Sequence, residues 1–205
     1  MKNKSLVIVA CIVFVLVVIV GISVSPSNAI KIDKKESIIK NELVEEVMDV
    51  KLVNLSEGEV VEGAEVVQNP VVDNMEIKDA ILTFSNPGDY VVYNFDIVNS
   101  GNVNTELSSI EIPSITCTSL NGNQDIANKV CDNIGIDLGY RSAPNKIVEF
   151  GDSLAANTKV GYVMTIIYNN GENVPENVKV KVENIKMKIG YKKNKNAKIT
   201  VGQIN

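Results

Sequence analysis

From Val50 onward the apolar residues recur at every second position, the spacing that places successive side chains on opposite faces of a β-strand. Val91, Tyr93, Phe95 and Ile97 alternate with Val92, Asn94, Asp96 and Val98, and Ile134, Ile136, Leu138 and Tyr140 alternate with Gly135, Asp137 and Gly139. Both runs are predicted as half-buried strands. Val160 to Tyr168 is apolar on both faces, with Val160, Tyr162, Met164 and Ile166 on one and Val163 and Ile167 on the other, so it is placed centrally in a sheet. Val178, Val180 and Val182 alternate with Lys179, Lys181 and Glu183. The phase then slips at Asn184 and resumes as Ile185, Met187, Ile189 and Tyr191, which predicts a bulge at Asn184.

Turn chemistry separates these runs. Asn86-Pro87-Gly88-Asp89 reads as a type II turn, with proline presetting the second position and glycine taking the positive φ of the third. Asn121-Gly122 and Asn170-Gly171 favour type I′ hairpins, and Asn99-Ser100-Gly101 a longer turn. Short strands joined in this way over residues 50–191 predict an all-β, immunoglobulin-like antiparallel sandwich.

Upstream the pattern differs. Between Lys31 and Asp49, Ile38, Ile39, Leu43, Val44, Val47 and Met48 recur at three- and four-residue spacing with Lys and Glu between them, the pattern of a short amphipathic helix. Residues 30–49 are therefore expected to form a stalk, the alternative being a helix packed on the sheet. Leu6 to Val24 holds 19 uncharged, mostly apolar residues, enough for one helix across a hydrocarbon layer of about 30 Å. The segment 1–29 reads as a signal-anchor by its length, or as a cleaved signal peptide by Pro26 and the small residues of Ser27-Asn28-Ala29. Ile8-Val9-Ala10-Cys11 resembles a lipidation box, but apolar residues follow Cys11, where a lipidated mature chain would start polar. Lysines on both flanks leave the positive-inside count undecided, whereas the short basic head of Lys2 and Lys4 fits a signal or signal-anchor. Membrane association through Leu6 to Val24, with the remainder outside the cell, is the expectation. If the signal is cleaved, the protein is secreted or held at the cell surface.

With Lys2 and Lys4 set aside, 18 basic residues face 25 acidic ones, a net charge of −7 that disfavours nucleic acid. Histidine is absent, which excludes Ser-His-Asp and Cys-His catalysis and His-ligated zinc. No enzyme is expected, and no cofactor or metal. Asp, Asn and Glu cluster at Asn94 to Asn104 and Asn169 to Glu176, but neither stretch matches the twelve-residue calcium loop and turn chemistry accounts for both. Cys117 and Cys131 stand fourteen residues apart in the exported part, and in an oxidising compartment such a pair is expected to close a disulfide. The residues 192–205, with Lys192, Lys193, Lys195 and Lys198, read as a solvated basic tail within reach of acidic envelope polymers.

The run Pro87-Gly88-Asp89-Tyr90-Val91-Val92-Tyr93-Asn94-Phe95-Asp96-Ile97-Val98-Asn99-Ser100-Gly101-Asn102, continuing to Leu107 and Ile110, resembles the turn, alternating strand and N-x-G core of the camelysin and biofilm-fibre proteins of Gram-positive bacteria. The resemblance covers mainly residues 75–112, with an echo from Leu154 to Gly171. It implies an exported sandwich engaged in fibre formation or surface display. The metal-dependent proteolysis credited to relatives is not carried over, because this chain offers no histidine ligand. The expected role is a structural, adhesive or assembly module that contacts other surface proteins, envelope polymers or further copies of itself. The alternative is a small-ligand or glycan module using the loops at one end of the sandwich, weakened by the lack of tryptophan for sugar stacking.

Overall fold

The two-residue period becomes a stack of antiparallel strands in the computed structural model, which describes residues 44–171 and 173–195. The elements are β1 (Val50–Val60), β2 (Glu65–Gln68), β3 (Val71–Asp73), β4 (Glu76–Phe84), β5 (Tyr90–Asn99), β6 (Thr105–Glu111) and β7 (Thr116–Ser119). There follow α1 (Gln124–Cys131), β8 (Ile134–Tyr140), β9 (Ala143–Ile147), β10 (Ser153–Leu154), β11 (Thr158–Tyr168) and β12 (Val180–Lys193). Sheet A has the order β1-β5-β11-β8-β9. Sheet B has the order β10-β6-β12-β4-β2, with β3 also on β4 and β7 also on β12. The fold is a β-sandwich of two antiparallel sheets.

The chain crosses repeatedly between the layers, so neighbours in sequence often lie in opposite sheets. The core forms where their inner faces meet. Phe84 and Leu82 of β4, Phe95 and Tyr93 of β5, and Met164 and Ile166 of β11 are all but inaccessible to solvent, and so are Val180, Val182, Ile185, Met187 and Ile189 of β12. Burying each such side chain stabilises the fold by about 1.5 to 3 kcal/mol before entropy is counted.

β11 lies centrally, between β5 and β8, where its two-sided apolar run places it. β12 carries its irregularity where the phase slips: Asn184 has φ +58° and the register with β4 shifts between Val182 and Ile185. The inward set therefore changes from even to odd positions without leaving the core.

Other expectations fail for identifiable reasons. Asn121-Gly122 closes no type I′ hairpin but leads into α1, and Asn170-Gly171 lies on the crossing from sheet A to sheet B, where no common ladder exists to close. Neither Asn121 nor Asn170 has the positive φ that type I′ requires. Val44 to Asp49 is not helical. This segment is bound to the loop after β5, by Val47 N–H donating to Asn102 Oδ1, Asn102 N–H to the Val47 carbonyl and Ser100 N–H to the Asp49 carbonyl. These bonds replace the internal ones of a helix, so the expected stalk of residues 30–49 does not extend over its last six positions. Its remainder, and the segment 1–29 with Leu6 to Val24, lie outside the described residues. Among those described, no helix is long and apolar enough to cross a membrane. The basic tail also starts later than expected, because Lys192 and Lys193 belong to β12 and pair with Glu106 and Glu46. Lys198 lies outside the described residues.

Candidate functional site

The turn of Asn86 to Asp89 carries the chain from β4 to β5. Asp89 N–H donates to the Asn86 carbonyl at 3.1 Å and Gly88 has φ +95°, the type II geometry that proline and glycine predict here. Gly88 N–H then donates to the Tyr168 carbonyl, and Tyr168 N–H to the Asp89 carbonyl, which extends the β5–β11 ladder into the turn. Asp89 is not a solvated turn acid. It is buried, and its Oδ2 accepts the N–H groups of Ser85 at 2.9 Å and Asn86 at 2.8 Å. The Asn86 side chain accepts Asn177 N–H, tying the turn to the β11–β12 connection.

At the opposite end of β5, Asn99 is fully buried. Its amide nitrogen donates to the carbonyls of Val103, Leu154 and Ala155, while its Oδ1 accepts Gly101 N–H. One side chain thus joins the start of β6 to the β10–β11 link, and Asn104 adds a bond from Ala156 N–H. Asn99, Asn102 and Asn104 are consumed in holding loops.

On the outer face of sheet A, Asp96 is 4% exposed and faces Arg141 at 2.5 Å and Lys159 at 3.7 Å. Asn54, at φ +57° in an irregular stretch of β1, donates to it at 2.9 Å. Gly161 sits opposite Asp96 in register. A Cβ there would lie 2.6 Å from Arg141 Nη2, so the missing side chain opens the lane through which the guanidinium reaches across β11. The Asn54 hydrogen bond, working against burial and joined by Arg141 and Lys159, holds the Asp96 carboxyl below its ordinary value.

A second polar cluster closes the side of the sandwich. The Tyr140 hydroxyl donates to Asp152, whose Oδ2 also accepts Glu149 N–H, and the Tyr162 and Tyr191 hydroxyls meet at 2.9 Å across the two sheets. Tyr140 and Phe95 stack on either side of Tyr162, with ring centroids 5.2 and 5.7 Å away, and Lys146 lies over Tyr140. Burial, with the hydroxyl's bond to Tyr162 behind it, raises Tyr191; burial and the bond to Asp152 raise Tyr140. Burial pushes Tyr168 up to about 12. Phenols held neutral in this way brace the fold.

Cys117 and Cys131 are at disulfide distance, with Cα atoms 5.7 Å apart, and join β7 to the last residue of α1. The helix was not legible as such in the sequence. Its signals are the N-cap Asn123, whose side chain accepts Ile126 N–H, and the spacing of Ile126, Ala127 and Val130. Gln124 reaches back to the Cys117 carbonyl at 2.8 Å. β7, the bridge and α1 therefore form one arm laid along β12 from Val180 to Glu183.

A shallow depression of about 410 Å³ lies on the outer face of sheet A, floored by Val92, Gly139 and Val163 and rimmed by Glu59, Asp137 and Arg141. It lies on the sheet face rather than among the loops at an end. Among the described residues no group of three or more Cys, Asp or Glu is placed to hold a metal ion, and the turn of Asn86 to Asp89 brings no second carboxylate to Asp89. No family model, curated protein or solved structure matches the chain. The likeness of residues 75–112 to the camelysin and biofilm-fibre group accordingly stands on its motif alone.

Proposed function

We propose that the chain is a non-catalytic, exported surface module with a structural, adhesive or assembly role, held to the membrane through Leu6 to Val24 or released if that segment is cleaved. The sandwich is taken to be immunoglobulin-like in kind. The observation that carries the reading is the pairing of Cys117 with Cys131, because structural disulfides belong to oxidising compartments outside the cytosol. The chemistry-bearing side chains support it: the carboxylates of Asp89, Asp96 and Asp152 accept hydrogen bonds that fix a turn, a sheet face and a loop. Protein isolated from its native cells and alkylated under denaturing, non-reducing conditions should leave Cys117 and Cys131 unlabelled and Cys11 reactive. Labelling of all three would remove the support for export.

A further inference from the structure

A strand that is apolar on both faces is ordinarily covered on both, yet among the described residues β11 meets a second layer only on its inner side. On the outer side Val163 and Ile167 of β11 lie diagonally on either side of Val92 of β5, which pairs with the intervening Thr165, and all three are only half-buried. Ile147 of β9 pairs in register with Gly139, so it shares this face, where it is 76% exposed. An apolar strip thus runs across the middle of sheet A from Ile147 past Gly139 to Val163 and Val92, the last three forming the floor of the 410 Å³ depression. The charges around it are segregated along the strands. Lys159, in register with Val98, and Arg141, over Gly161, stand toward one end with Asp96 buried beneath them, while the neighbouring Lys51 is matched by Asp49. Asp137, in register with Thr165, and Glu59, bonded to the Tyr90 hydroxyl, stand toward the other.

A face with cations at one end, carboxylates at the other and an apolar centre is complementary to itself when turned end for end, the requirement of a two-fold interface. We propose that the outer face of sheet A binds a second copy of this chain, face to face and antiparallel, with Ile147 of each copy against the depression of the other and the Lys159 end of each against the Asp137 end of the other. The inference rests on the reading of the chain as a surface module with an assembly role, and goes further in naming the partner and the surface.

Sedimentation velocity of the full chain in a nonionic detergent tests it. The wild type should sediment as a dimer, more weakly associated at high salt. Ile147→Asp, and the single reversals Lys159→Glu and Asp137→Lys, should each weaken association by about tenfold or more, and the double reversal should restore most of it, an outcome that loss of folding cannot imitate. A monomeric wild type overturns the proposal. So does an oligomer indifferent to Ile147→Asp, which would place assembly elsewhere on the chain while leaving the surface-module reading intact; failure of that reading shows separately, as a chain that never reaches the cell exterior.

Discussion

Gly88 and Asp89 show how much one turn does for the residues around it. At φ +95° a Cβ is disfavoured, so Gly88→Val should cost on the order of 1 kcal/mol or more and lower the melting temperature by about 2 to 4 °C for each kcal/mol lost. Asp89→Ala should cost more, about 1 to 3 kcal/mol, because it leaves the N–H groups of Ser85 and Asn86 without their acceptor. From the sequence alone Asp89 passes for a wet turn residue; only its burial assigns it this duty, and burial depends on the crossing between sheets. Asp96 makes the matching case for pH. Its folded-state carboxyl titrates below the ordinary range, so the stability it contributes is present above the unfolded pKa of about 4 and is lost as the pH falls through the folded value. Urea melts between pH 6 and pH 2.5 should show a smaller acid loss in Asp96→Asn than in the wild type. Equal losses in the two proteins would remove Asp96 from the acid response.

At the scale of elements, legibility followed the strength of the periodic signal. β5, β8, β11 and the bulged β12 stand where alternation puts them, because each has one face packed against the core and a slip of one residue would expose it. α1 is only eight residues long and owes its helical state to the bridge, its cap and the burial of Ala127 and Val130, and a spacing carried by three apolar residues among polar ones is too short to stand out as a period. The reverse error occurs at Val44 to Asp49, where helical spacing is overridden by hydrogen bonds to the loop after β5. The arm of β7 and α1 carries its own prediction. Cys117→Ala with Cys131→Ala should remove about 3 kcal/mol by releasing a loop of this length. Hydrogen exchange should then quicken in α1 and β7 before it does in β5 or β11.

At the scale of the whole molecule, the sandwich class was readable from strands and turns, but the strand order was not. It depends on pairings such as β12 with β4 and β6, far apart in the chain and fixed only when the core closes. Five of the six tyrosines record that closure, since burial is the first cause that shifts them upward; Tyr90 is raised by its bond to Glu59. The contribution of those five to stability is present below pH 10 and is lost as the pH rises toward the folded values. In a Tyr90→Phe variant, phenolate absorbance should therefore stay nearly flat through pH 10 and appear together with unfolding. Surface display is tested most directly by treating intact native cells with a membrane-impermeant amine reagent and mapping the labelled lysines by mass spectrometry. A module exposed outside the cell should be labelled at exposed positions such as Lys188 and Lys192 before lysis. Labelling of these lysines only after the cells are broken would contradict it.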